Sequence, residues 1–389
     1  MEFGKEREYS PGPIVLFGSG ETSPSGRKIF ESVFRRLPEG PLVALLETPA
    51  GFELNSSEVI GRVGDFIAHR LRNYRPQVVI IPARKRGTEF SPEHPAIVEP
   101  VYSADMIFMG PGSPTYAVRQ LKGSLAWGAI LARHRLGAAL VLASAAVVAI
   151  SAYALPVYEI YKVGEELHWK QGLNLFSHYG LRLVFVPHWN NNDGGQALDT
   201  SRCFMGWARF SRLIELLPPN LTIIGIDEKT GLVIDPRTGE CEVVGLGGVT
   251  LIHTGQPHEG AFSASELQDV GLEDVALNRQ GHVHYFNSSE SFSLNQLGPF
   301  RVPQASSGLA VDIWQHALEV QHAEHDRADA EVRPPPEVLH MVQQREKARD
   351  EKDWPAADRL RAQLERLGWR VKDTQAGSVV ERYDPENEG

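Results

Sequence analysis

Cysteine is almost missing from this 389-residue chain: Cys203 and Cys241 are the only two, far apart and in no metal-ligand spacing. A disulfide framework is therefore excluded, no zinc site is indicated, and no metal or cofactor is expected. A basic excess is missing too. With a formal charge of -10, the chain lacks the positive surface that a general nucleic-acid binder needs, although a local basic patch stays open. The first residues, MEFGKEREYS, are charged and contain no apolar h-region, so no signal peptide is expected and the cytoplasm is the default compartment. Low-complexity tracts and internal repeats are also lacking. What remains, 42% hydrophobic and 23% charged residues, is an ordinary globular composition, long enough for a large core and a second unit.

The most apolar stretch is Gly137 to Val157, GAALVLASAAVVAISAYALPV, with the hydroxyl of Ser144 in its middle. It reads as a buried strand (Ala138 to Ala143), a sharp turn at Ser144 and a buried helix from Ala145, an arrangement that presents a nucleophilic serine. Three plainer readings compete. The run is long enough for a membrane span, although it is rich in Ala and has no second span beside it. It could also be a core helix whose serine bonds only to its own backbone, or an elbow that has lost its chemistry.

From Pro13 onward, short apolar runs alternate with amphipathic stretches of helical period, which predicts an α/β fold with a parallel sheet flanked by helices. The informative positions follow each run. PIVLF leads into Gly18-Ser19-Gly20-Glu21, PLVALL into Glu47-Thr48-Pro49, and ADMIFM into Gly110-Pro111-Gly112-Ser113. LRLVFV precedes Pro187-His188-Trp189-Asn190, and LTIIGI precedes Asp227-Glu228. In open α/β sheets ligands bind outside the carboxyl ends of the strands, and those ends collect Gly112, Ser144, His188 and Glu228.

A serine hydroxyl needs a base within hydrogen-bond reach and a third group to orient that base. His188 is the natural base, and Glu228, or its neighbour Asp227, the natural orienting acid. The amides of Gly112 and Ala145 would face the developing oxyanion, so the set implies acyl transfer to water. Taken singly each signal is weak: the chain has 14 histidines, Asp-Glu is a common strand terminator, and Gly110-Pro111-Gly112 is compatible with a plain turn. Glu21, Ser113, Asn190, Asn191 and Arg202 are the candidates for a substrate pocket.

After Glu228 come short β-rich pieces (231–235, 242–246, 249–253, 282–286, 291–297), expected as an antiparallel extension closing the domain near Phe300. Residues 1–12 form an N-terminal arm, 13–300 the main domain, and 301–336 a helix and linker ending in Pro334-Pro335-Pro336. Residues 337–384 form a separate small unit of two helices and a hairpin turning at Gln375 to Gly377, with Pro355 opening the second helix and Gly368 stopping it.

The succession MGPGSPTYAVRQL, LASAAV, FVPHW and GIDEKTGLVID resembles the aspartyl dipeptidase and cyanophycinase family of serine peptidases, over about Pro13 to Leu297. The resemblance implies the class I glutamine amidotransferase-like, flavodoxin-like fold, Ser144 as nucleophile, His188 as base, Glu228 as third member, and Gly112 with Ala145 as oxyanion hole. Members cleave peptide or isopeptide bonds next to aspartate; a small peptide or amide is the substrate class implied here, and a homo-oligomer stays open. The family's elbow reads Gly-x-Ser-Ala-Gly, whereas Leu142 and Ala146 occupy the glycine positions in this chain. With serine at the elbow, the cysteine route of the glutamine amidotransferases is not implied. A binding domain that kept the fold and lost catalysis is the alternative.

The segment QQREKARDEKDWPAADRLRAQLERLGWRVKDTQAGSVV is similar to the extreme C-terminal segment of cysteinyl-tRNA synthetases, through Arg345, Ala348, Arg349, Asp353, Trp354, Asp358, Gly368 and Asp373 among others. No catalytic signature of a synthetase accompanies it. It reads as a packing or docking module, or as a contact with tRNA through Arg345, Arg349, Arg359 and Arg361; the acidic residues interleaved with those arginines favour the former.

Overall fold

The apolar runs of the first half do become strands; all but the edge strand Gln77–Ile81 are covered on both faces and so have no polar alternation. The structure, a computed structural model, describes residues 9–254, 283–332, 334–374 and 377–382. The start of the expected arm, His282 and the Gln375 turn lie outside them. The chain divides into two compact units, Met1–Ala317 and Leu318–Gly389.

In the first unit, β1 (Ile14–Phe17), β2 (Leu42–Leu46), β3 (Gln77–Ile81), β4 (Met106–Met109) and β5 (Ala139–Ala143) lie parallel in the order β1-β5-β4-β2-β3. Helices α1 (Pro24–Phe34) and α2 (Ser56–Arg70) cover one face. There Val15, Phe17, Val43, Leu45, Phe108 and Val141, alternate residues of their strands, meet Ile29, Phe30, Val33 and Val63. Phe30 lies 5.1 Å from the Phe17 ring and 6.2 Å from that of Phe108, and each such fully buried side chain stabilises the fold by on the order of 2 kcal/mol. The short α3 (Pro95–Val98), then α4 (Pro114–Leu121) and α5 (Leu125–Arg135), precede β5. Ser113 caps α4 by accepting the Tyr116 amide at 3.2 Å, with Pro114 in the first turn where no donor is needed.

The second half departs from the single parallel sheet that the apolar runs predict. A small ribbon of β6 (Tyr153–Ala154) and β7 (Lys170–Gln171) comes first. Next, β8 (Leu183–Val186) and β9 (Leu221–Ile226) pair with each other, not with the main sheet. The chain then returns, and β10 (Thr230–Asp235) lies antiparallel to β1, followed outward by β11 (Glu240–Gly245). The second sheet is completed by β12 (Val249–Thr254) and β13 (Val283–Phe286), and the first by β14 (Ser291–Ser293), giving eight strands in one and four in the other. Short fully buried runs look alike whichever sheet they join, so the split leaves no mark in the pattern. A second core, with Val184, Val186, Trp189 and Ile223, is packed by Phe210 and Leu213 of α7 (Trp207–Glu215).

The second unit has its own small core of Val338, Val342, Leu364, Trp369 and Val371. The helix α8 (Val311–Val332) leads to α9 (Pro336–Asp350) and α10 (Trp354–Arg366), and β15 (Trp369–Thr374) pairs antiparallel with β16 (Gly377–Arg382). Asp353 caps α10, accepting the Ala356 amide at 3.1 Å, and Gly368 takes φ 77° just past its end. Arg345, only 5% exposed, makes a two-pronged bond to Asp373 at 2.9 and 3.0 Å, and Arg349 also reaches that carboxylate.

The hydrogen bond from Arg345, aided by that from Arg349 against the opposing effect of burial, holds the Asp373 carboxyl well below its usual range. Its folded-state pKa lies below its unfolded one, so the stabilisation is present above the unfolded value of about 4 and is lost as pH falls through the folded value. Asp373→Asn should therefore lower the hydrogen-exchange protection of α9 and α10 at neutral pH by about 2 kcal/mol, less than for a fully buried pair because Asp373 is 42% exposed. It should also flatten the loss of protection on acidification; unchanged protection would refute the clamp.

Candidate active site

The long uncharged run is divided in the structure: β5 ends at Ala143 and the short helix α6 (Ala145–Ala149) begins at Ala145. Among the described residues no helix is long and apolar enough to cross a membrane. Between the two elements Ser144 sits at φ 50°, ψ −112°, a region that an L-residue occupies only when its surroundings impose it. The turn forms without the two glycines of the resembling family's elbow. Leu142 is an ordinary strand residue paired with Leu16 and Met109, and Ala146, 1% exposed, is small enough for close packing.

Ser144 does not spend its hydroxyl on its own backbone. Its Oγ is 3.0 Å from Nε2 of His188, whose Nδ1 is 3.1 Å from Oε1 of Glu228. His188, in the loop after β8, is itself held at φ 53°. Its amide donates to the Gly18 carbonyl at 3.0 Å, and its own carbonyl accepts the amides of Asn191 and Cys203, both at 3.2 Å. Glu228, in the loop between β9 and β10, is held from two sides: Asn191 donates to Oε1 at 2.8 Å, and the Glu228 amide donates to Oδ1 of Asn190 at 2.8 Å. The hydrogen bond from His188 keeps the Glu228 carboxyl below its ordinary range; burial acts the other way, and Asn191 adds to the lowering. An ionised carboxylate can only accept, so Nδ1 carries the proton and donates it in a hydrogen bond to Glu228, which leaves Nε2 to accept from the serine. Neighbouring Asp227 is engaged differently. Burial raises its carboxyl, which accepts the Gly248 amide at 2.9 Å and the Tyr285 hydroxyl at 3.0 Å.

Ser144, His188, Gly112 and Ala145 line one cavity of about 410 Å³. Gly112 has φ 142°, and a Cβ there would lie 1.9 Å from the Pro49 carbonyl oxygen, so only glycine fits. Among the described residues neither the Gly112 nor the Ala145 amide has an accepting partner. The Pro49 turn is anchored by buried Glu47, which accepts from Arg84 at 2.7 Å and from Ser56 at 2.8 Å.

None of the five pocket candidates lines this cavity. Ser113 is the α4 cap and faces a neighbouring cavity; Asn190 and Asn191 brace Glu228; Glu21 lies half-buried in the turn after β1. Arg202 packs with its guanidinium 5.0 Å from the Trp189 ring and 5.2 Å from that of Trp207, and burial lowers its pKa. The cavity wall contains Asp193, from the loop that follows His188, and residues that sequence reasoning missed: Tyr158, Tyr161, Lys162, Cys203 and Phe204. YEIYKV follows directly on the apolar run, and its aromatic-basic spacing was the available signal. Burial, then the Glu228 charge, pushes the Cys203 thiol up to about 12, so it is not a thiolate nucleophile. Among the described residues no three His, Cys, Asp or Glu side chains gather as a metal site.

Residues 334–378 match the model of the cysteinyl-tRNA ligase anticodon binding domain. Over 48 residues, 12% of this chain and 10% of the relative, the chain is 54% identical to a cysteine–tRNA ligase of Rubrobacter xylanophilus. Over 122 residues, 31% of this chain and 24% of the relative, it is 29% identical to that of Chlamydia caviae. The chain thus spans about a tenth to a quarter of the length of these curated relatives. Among solved structures, a peptidase from an acI-B1 Actinobacterium shares the fold, with a TM-score of 0.53 and 21% identity over 73% of this chain and 98% of that one.

Strain at the elbow has a measurable consequence. Ser144→Gly should raise the stability of the first unit by about 1 kcal/mol in denaturant unfolding, since glycine relieves the backbone at the cost of some unfolded-state entropy. Ser144→Ala should give no such gain. Equal stability of all three proteins would mean that the turn is unstrained.

Proposed function

We propose that the first unit is a serine hydrolase of peptidase type that cleaves a small peptide or amide. The observation that carries this reading is the hydrogen-bonded line from Ser144 through His188 to Glu228, 3.0 and 3.1 Å long in its two steps, in the wall of a cavity. His188 removes the proton from Ser144 Oγ as it attacks the scissile carbonyl, and Glu228 stabilises the resulting imidazolium without taking its proton. The amides of Gly112 and Ala145 receive the oxyanion, each worth about 3 kcal/mol of barrier. His188 then protonates the leaving amine, and water repeats the sequence to release the acid. The shared fold with a protein named as a peptidase agrees with this reading, and two unpaired buried cysteines agree with a reducing, cytoplasmic setting.

For the second unit, the match to an anticodon binding domain favours one further reading, contact with tRNA. Of the arginines available for it, Arg345 and Arg349 are already clamped on Asp373, and Arg361 pairs with Glu365 at 3.2 Å. Arg359 is exposed. The contact would therefore be modest and salt-sensitive.

A fluorophosphonate should label the intact protein at Ser144, and Ser144→Ala should take no label. Glu228→Gln should slow labelling on the order of 10³-fold by favouring the wrong tautomer. An unlabelled wild type under all conditions would instead favour a binding domain without catalysis. Retardation of tRNA by the full chain, lost on deletion from Pro336 onward, would support the nucleic-acid contact; no retardation by the intact chain would remove it.

A further inference from the structure

A second cavity, of about 470 Å³, lies beside the candidate active site and shares Tyr158 with it. The wall between them is built from two short segments whose residues alternate in allegiance. Gly112 and Pro114 line the serine's cavity while Ser113 and Thr115 line its neighbour; Val157, Tyr161 and Lys162 face the first while Glu159 and Val163 face the second. The segment that carries the Gly112 amide is therefore also a wall of the second cavity.

Its lining is mainly apolar: Phe52, Tyr116, Val118, Ala154, Tyr158 and Val163. Phe52 and Val163 are 47% and 73% exposed, an apolar mouth left open to water. The charged groups around it are engaged in part by their neighbours. Glu159 accepts from the Thr115 hydroxyl at 2.5 Å and pairs with Lys170 at 3.4 Å through one oxygen, while its second oxygen is buried without a hydrogen-bond partner. The Arg119 guanidinium lies over the Tyr116 ring at 5.2 Å. What is offered to an entering group is mostly hydrocarbon and aromatic surface, beside the polar ends of Arg119, Lys170 and Gln171.

We infer that this second cavity is a subsite for an apolar side chain next to the scissile bond, so that the substrate is a peptide or peptide-like amide carrying a bulky apolar residue there. The inference rests on the hydrolase reading of Ser144. An extended peptide sends successive side chains to opposite sides, and two cavities divided by one thin wall accept two neighbouring residues. Burial of the apolar side chain against Tyr116, Val118 and Tyr158 supplies binding, and Tyr158, common to both cavities, links its occupancy to the placement of the carbonyl.

The test uses two fluorophosphonates on the full chain, one with a methyl tail and one with a phenylalkyl tail. Wild type should react with the phenylalkyl probe about tenfold faster, the discrimination expected of an apolar pocket. Val118→Trp, which fills the cavity, should bring the ratio of the two rates close to one, and Val163→Asp, a surface change at the mouth that folding tolerates, should lower it as well. A wild-type ratio near one, or a high ratio that survives both substitutions, overturns the subsite while leaving the nucleophile intact. No labelling by either probe overturns the hydrolase reading, and the subsite with it.

Discussion

At the end of β1, Gly18 donates its amide to the Thr230 carbonyl at 2.8 Å and accepts the His188 amide at 3.0 Å. This clasp joins the two sheets at the place where they diverge. A Cβ on residue 18 would lie 2.0 Å from the Asp227 carbonyl oxygen, so glycine is what lets the chains approach. Ser144 belongs to the first sheet and His188 to the second, while Glu228 lies on the crossing between them. With the clasp in place, three loops far apart in sequence meet within hydrogen-bond distance. The clasp adds to the bonds from the Asn191 and Cys203 amides that fix the His188 loop.

The cost of the arrangement is concentrated in the backbone. Ser144 at φ 50° and His188 at φ 53° are side-chain-bearing residues in a region that favours glycine, and Arg202, Cys203 and Phe204 form a consecutive run of the same kind. That run is not idle. The Cys203 amide bonds to the His188 carbonyl, and the Arg202 amide bonds to the Trp189 carbonyl at 2.9 Å, so one strained loop holds another. Packing of Trp189 edge-on against Phe210, 5.3 Å apart, anchors the pair in the second core. The stability lost at these positions is offset by the unstrained, fully buried strands behind them.

The second unit is stabilised by a different means. Its apolar core is small, and the Arg345–Asp373–Arg349 cluster ties α9 to the hairpin where few buried side chains are available. That assignment changes how its basic residues are understood. Two of the four arginines that look like a nucleic-acid surface in one dimension, Arg345 and Arg349, are occupied in holding the unit together.

Strand and helix identities in the first unit were readable because doubly covered strands are continuous apolar runs, and the carboxyl ends of those runs pointed to Gly112, Ser144, His188 and Glu228. The elbow at Ser144 was readable for the same reason, as one polar residue between a buried strand and a buried helix. The pocket was not. Asn190, Asn191 and Arg202 looked like wall residues from their place near His188, but hydrogen bonds to Glu228 and packing between two indoles draw them elsewhere. Residue type and local order thus determined which polar groups follow which strand ends. Only the tertiary structure decided that β8 and β9 leave the main sheet, that Gly18 reunites their loops with the serine, and which side chains face the cavity. Those outcomes depend on contacts between segments distant in the chain, and a local pattern carries no record of them.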